Sequence, residues 1–145
     1  MEPDSPSAPK RTLTELLFVI FLRMIAITCF WFGLQYWAML VGYSLEGRAR
    51  FDLLNLPWRV AAPTLAVLFP VASLGLWLTV SWGVVLWALA GTIQILMYVV
   101  WAEVFGHNTL VPLLHLIVAG LYVIFRLSLW LEGRRKEERV RADLP

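Results

Sequence analysis

Seven side chains carry chemistry that is costly in the apolar stretches around them: Arg23, Arg59, Gln94, Glu103, His107, His115 and Arg126. Glu103 and His107 are four residues apart and share a face if a helix runs through both, and His115 follows eight residues later. A carboxylate and two imidazoles are donor types that bind a divalent metal. This spacing matches no ligand signature and supplies no fourth donor, so no metal is expected. The plainer reading makes Arg59, Glu103, His107 and His115 a polar cluster at one membrane face. Arg59 and Glu103 then form an ion pair or are solvated, and His115 hydrogen-bonds a neighbouring backbone or hydroxyl group. Arg23 and Arg126 lie inside apolar runs, where an ionisable group marks a candidate site. Turned inward together, they would bind an anion such as a lipid headgroup or a carboxylate. Turned outward, each guanidinium would snorkel to headgroup phosphates, which its depth favours, and Glu15 is within reach of either arginine as an acceptor. Gln94 has Tyr98 one turn after it; a buried amide there more commonly ties helices together than contacts a substrate.

Elements that hold these groups follow from the spacing of charge. From Val60 to Ala102 the chain runs 43 residues without Asp, Glu, Lys or Arg. One helix of that length would be roughly 64 Å long, about twice the hydrocarbon thickness of a bilayer, so the stretch must fold back as a hairpin. Hydrophobic residues make up 60% of the chain and its mean hydropathy is +0.73. Ordinary globular domains hold about 45–50% apolar residues, so a soluble domain is excluded. The sequence predicts an all-α integral membrane protein, a four-transmembrane-helix bundle with spans near 16–43, 57–79, 82–105 and 109–131. Asn55 is placed to cap the second span and Asn108-Thr109 the fourth. Trp58 and Trp101 sit where headgroup-level tryptophans belong, and the midpoint between them puts the hairpin turn beside Thr79 and Ser81. Pro63 and Pro70 share a face of the second span and deprive the Arg59 and Ala66 carbonyls of their usual donors. Ala38-x3-Gly42 and Ala88-x3-Thr92 are small-residue pairs of the kind that allow close helix contact, and Cys29 reads as a small buried hydrophobe.

Outside the membrane domain (13–131), residues 1–12 contain three prolines and read as a disordered tail. The 44–56 loop suits a segment lying on the membrane surface, and 132–145 reads as a charged tail and frayed helix. With four spans the two termini share a side. That side carries Lys10, Arg11, Arg134, Arg135, Lys136, Arg139 and Arg141, and the other carries Arg48, Arg50 and Arg59. The excess predicts that both termini are cytoplasmic. Arg134-Arg135-Lys136 acts foremost as a topology signal, with an anionic-lipid patch as the rival reading.

No GxSxG, HExxH, P-loop, Rossmann or CxxC pattern occurs. The formal charge of +2 is too small and too divided for nucleic-acid binding. The strings LQYWAMLVGYS (34–44), RFDLLNLPWRVAA (50–62) and LMYVVWAEVFG (96–106) resemble an uncharacterised family of small four-pass inner-membrane proteins from alphaproteobacteria, over about residues 16–131. That resemblance implies a bacterial inner-membrane location and brings no activity, cofactor or residue role. The expectation is a non-enzymatic accessory or scaffold subunit of an envelope complex, without a cofactor. The lipid bilayer, anionic lipids, and a membrane-protein partner or second copy are its expected contacts. The alternative is a small transporter or anionic-lipid-binding protein using Arg23, Arg126 and Gln94.

Overall fold

The computed structural model describes residues 10–43 and 51–143. Helix α1 (Leu13–Leu40) is followed, beyond the undescribed part of the loop, by a 3-10 turn at Phe51–Leu53. Then come α2 (Leu56–Trp77), α3 (Ser81–Ile95), a π-helical turn (Leu96–Val100), a one-turn α4 (Ala102–Phe105) and α5 (Leu110–Ala142). Four of these helical stretches are long and apolar enough to cross a membrane, and no strand occurs among the described residues. Most of the expected disordered tail and of the surface loop, residues 1–9 and 44–50, lies outside the described residues.

The helix ends follow from local chemistry. Thr12, assigned to the tail from its sequence, is the N-cap of α1: its hydroxyl accepts from Glu15 N at 3.2 Å and Glu15 Oε2 accepts from Thr12 N at 3.1 Å. That reciprocal box commits Glu15 to the helix end rather than to either arginine. At the other end Gly42, at φ +75°, lets Tyr43 N reach back to Ala38 O at 2.9 Å. Gly42 is thus the residue that stops α1, not half of a helix-contact pair. Asn55 caps α2 through Trp58 N at 3.3 Å, and Asn108 Oδ1 receives Leu110 N and Val111 N at 3.1 and 3.3 Å at the start of α5. The hairpin turn is Leu78-Thr79-Val80, where Val80 N bonds Gly75 O at 3.0 Å and Thr79 takes φ +56° in the position glycine usually fills.

Helix α2 is the centre of the bundle. Its residues Ala62, Leu65, Ala66, Phe69, Ala72 and Leu76 are almost wholly buried, at helical spacing. They pack on Leu22, Ile25, Ala26, Cys29 and Tyr36 of α1. Lipid tails are as apolar as these side chains, so close packing and hydrogen bonds between helices supply the association. The tightest approach is at the hairpin's turn end: a Cβ on Gly83 would lie 2.3 Å from Gly75 C and 2.5 Å from Leu76 N. A second is Gly33 of α1, where a Cβ would lie 2.7 Å from Pro70 Cγ. Ala88 and Thr92, by contrast, are exposed, and the Thr92 hydroxyl donates back to Ala88 O at 2.7 Å within its own helix. That face of α3 points away from the bundle.

Two stretches differ from the sequence reading. The third span was expected to be one helix over 82–105; it widens into the π turn, where Trp101 N bonds Leu96 O at 3.1 Å, and the chain leaves helical geometry at Trp101 (φ −108°, ψ 34°). β-Branched Val99 and Val100 fit the last turn of an α-helix poorly. Past the break, Phe105 is held edge-on against Trp58 of α2, with ring centroids 5.1 Å apart. The fourth helix, in turn, does not fray near Leu131 but continues unbroken to Ala142. Arg134/Glu138 and Glu137/Arg141 stand four residues apart, and Arg139 and Arg141 lie in the last turn, where cations favour the helix terminus. Glu132 of α5 accepts from the Thr14 hydroxyl at 2.5 Å and the Thr12 hydroxyl at 3.4 Å, so the start of α1 and the charged part of α5 lie at the same end of the bundle.

Candidate functional site

One polar row crosses the bundle interior. Gln94 on α3 is 1% exposed, its amide flanked by Tyr36 of α1 and His115 of α5. Gln94 Nε2 donates to the Tyr36 hydroxyl at 2.7 Å, and His115 Nε2 meets Gln94 Oε1 at 2.6 Å. The Tyr98 hydroxyl lies beside that of Tyr36 and extends the row. Each element places its member for a local reason. Gly91, one turn before Gln94, has no side chain to fill the space of the His115 ring, whose Nδ1 would lie 3.1 Å from a Cβ there. Pro112 in the first turn of α5 and His115 one turn later are the two residues of that helix that are buried. Phe69 of α2 forms the wall, with its ring 6.1 Å from Tyr36 and 6.5 Å from His115, both nearly parallel to it. Phe32 lies beside Phe69, with ring centroids 5.4 Å apart, and stacks on His115 at 6.0 Å.

The sequence reading placed Gln94 with Tyr98 as a helix link but did not find its two partners. Tyr36 lies in a span rich in aromatic residues and carries no charge to mark it. His115 had been grouped with Arg59, Glu103 and His107, and the structure separates them. Its ring is buried against Gln94, while Arg59, Glu103 and His107 are all exposed. The reason is the break at Trp101: no helix runs from Glu103 to His107, because α4 ends at Phe105 and Gly106 turns the chain at φ +94°. Arg59 instead donates to Asp52 O at 3.0 Å and lies 5.9 Å from the Phe51 ring centre, which fastens the 3-10 turn to α2. No three of His, Cys, Asp or Glu come close enough to hold a metal ion among the described residues.

Arg23 and Arg126 are not brought together either. Both are exposed on the outer surface of the bundle. Arg23 lies over the Trp77 ring at 5.3 Å, and Arg126 lines a shallow surface hollow with Tyr122 and Trp130 of its own helix. They form no shared inward pocket.

Two further hydrogen bonds tie α1 to α2 and were not legible as pairs. Ser73 Oγ donates to Ala26 O at 2.7 Å. The Ala66 carbonyl, deprived of its amide donor by Pro70, receives the Trp37 indole N–H at 2.9 Å. Around this framework a family model, described as a family of unknown function (DUF6163), matches residues 16–133. The chain belongs to the DUF6163 family. Nothing among curated proteins or solved structures matches it. The DUF6163 match takes in Tyr36, Gln94 and His115 and the bulk of all four apolar helices, and stops before Arg134 of the charged continuation of α5.

Proposed function

We propose that this chain is a non-enzymatic accessory or scaffold subunit of an envelope complex, held in the bacterial inner membrane with both termini in the cytoplasm. The observation that carries the proposal is the uneven burial of the four spans. In the most apolar stretch of α5, 11% of residues are buried inside the protein, against 28%, 39% and 33% in α1, α2 and the α3 span. A compact three-helix unit therefore presents a fourth helix that it barely encloses, whose continuation past Leu131 adds a rigid charged arm of roughly 16 Å. The partner suited to that helix is another membrane protein, packed along α5 inside the bilayer and met by the arm outside it.

In-cell photocrosslinking from Ile117 and Ile124, two exposed positions on α5, tests this. One protein partner trapped at both positions, and co-purified in fixed ratio after mild extraction, is the expected result. Crosslinks to lipid alone would overturn the proposal. The orientation has its own test: a periplasm-active reporter placed after Arg141 should be silent, and one placed at Gly47 should be active.

The second reading, contact with anionic lipid at the cytoplasmic rim, is favoured by the outward placement of Arg23 and Arg126. It takes the form of two separate headgroup contacts. Native mass spectrometry should then show retained anionic lipid decreasing in Arg23→Ala and Arg126→Ala independently.

A further inference from the structure

A crevice of about 160 Å³ opens between α1 and α5, and His115 stands in its wall. Cys29 and Trp87 are buried on its floor with His115, and Met24, Thr28 and Leu114 form an exposed rim that faces the lipid. Gln94 Nε2 donates to Tyr36, so it is Gln94 Oε1 that faces His115, and His115 Nε2 must carry the hydrogen. In the neutral ring this leaves Nδ1 as a bare acceptor.

His115 is 7% exposed, and Nδ1 makes no hydrogen bond among the described residues. Among the described residues no side-chain nitrogen or oxygen sealed from the surface lacks a partner, so Nδ1 reaches open space, and His115 lines the crevice. Gly91 packs on the flat of the ring, where a Cβ would lie 3.1 Å from Nδ1 and 3.5 Å from both Cγ and Cε1, and so stands out of the line of the Nδ1 lone pair. The other polar atom of the rim, Thr28 Oγ1, is already donating to Met24 O at 3.0 Å.

The crevice thus offers one strong acceptor in an apolar, partly aromatic wall. Water is a poor occupant, because a held water takes two to four polar partners and this space supplies two acceptors, His115 Nδ1 and the Thr28 oxygen, and no free donor. An acyl chain would fill the volume and leave the acceptor bare, at the cost of an unpaired polar group in hydrocarbon. An apolar cavity of about 150 Å³ accommodates a benzene ring. We propose that the crevice binds a phenolic ring carried on a hydrocarbon tail, the ring on the floor beside Trp87, its O–H donated to His115 Nδ1, and the tail passing over the Met24–Leu114 rim into the bilayer. This site stands independently of the accessory role proposed above.

The test uses the full chain in phosphatidylcholine bicelles, with empty bicelles subtracting simple partition. Three probes of one size are titrated: para-hexylphenol, which can donate; hexyl-para-benzoquinone, which can only accept; and hexylbenzene, which can do neither. The phenol should bind saturably at one per chain and up to about tenfold more tightly than the other two, the discrimination one hydrogen bond of ordinary net strength supplies. His115→Phe, which keeps a ring against Phe32 and Phe69, should reduce the phenol to the level of hexylbenzene. Thr28→Phe, at an exposed rim position outside the packed core, should abolish saturable binding of all three. Equal binding of the three probes, tighter binding of the quinone, or undiminished phenol binding in Thr28→Phe would each overturn the proposal. Should His115→Phe fail to fold, the probe series and Thr28→Phe decide it.

Discussion

Trp37→Phe should destabilise the bundle only while Pro70 is present. Pro70 lacks the N–H that would bond the carbonyl four residues earlier, and the Trp37 indole fills the gap at 2.9 Å from Ala66 O. Removing the indole N–H in hydrocarbon leaves that carbonyl with no water to turn to. Interhelical hydrogen bonds in membranes average about 0.6 kcal/mol and reach about 1.7, while an unsatisfied buried acceptor costs about 1–3 kcal/mol. A loss of about 1.5 kcal/mol is therefore expected for Trp37→Phe, of which about 0.5 is lost ring contact and about 1 is the carbonyl. In a Pro70→Ala background residue 70 supplies its own amide to Ala66 O, and only the ring-contact part should remain. Reversible unfolding of the four proteins in bicelles gives the coupling directly. A coupling of about 1 kcal/mol is expected, and one within about 0.3 kcal/mol of zero would mean that Trp37 stabilises by packing alone. The same background offers an internal control. Gly33→Ala should clash with the Pro70 ring, 2.7 Å from the new Cβ, and be relieved when that ring is gone.

Gly83→Ala should cost about 3 kcal/mol or more, because the new methyl meets Gly75 and Leu76 backbone at 2.3–2.6 Å and the hairpin must part. Gly120→Ala, with nothing within 4 Å, should be neutral or stabilise by up to about 1 kcal/mol through helix propensity, and unfolding in bicelles compares the two. Gln94→Leu leaves His115 Nε2 without a partner, while the Tyr36 hydroxyl keeps Tyr98, so a loss of about 1–3 kcal/mol is expected by the same measurement. A loss under about 0.5 kcal/mol there would show that the row contributes nothing to stability. Thr79→Gly relieves a β-branched residue held at φ +56° and should raise stability by about 0.5–1 kcal/mol; a decrease would mean that the threonine is held there for its side chain.

The contrast between what could and could not be read in advance has a physical source. Span number and the position of the hairpin turn were legible, because the absence of charge from Val60 to Ala102 and the 30 Å hydrocarbon thickness together leave few solutions. Helix ends were legible at the asparagine caps, Asn55 and Asn108, but not at Thr12, whose proline-rich neighbours make it read as tail. The faces of the helices were not. In water a helix shows its inside by an apolar stripe, but in lipid the inside and outside of a bundle are equally apolar, so Ala88-x3-Thr92, facing lipid, looks like a contact motif. Gly75 and Gly83 look like nothing, since they meet across a turn rather than along one helix.

Polar side chains are what break this symmetry, and they sort by whether their charged or polar end can escape. Arg23 and Arg126 have stems long enough to carry the guanidinium to the headgroups, and both lie on the outside. Gln94 and His115 are too short to reach either surface from their depth, so each must find a partner within the protein, and they find each other at 2.6 Å. Grouping His115 with Glu103 and His107 by nearness in sequence missed this distinction. Sorting by reach alone would have paired His115 with Gln94. The same rule explains Tyr36, whose hydroxyl lies within the bundle at the level of Phe69 and completes the row. Short polar groups that cannot be satisfied on their own helix, the way Thr28 and Thr92 are, therefore report the interior of this fold, and long cationic ones report its perimeter.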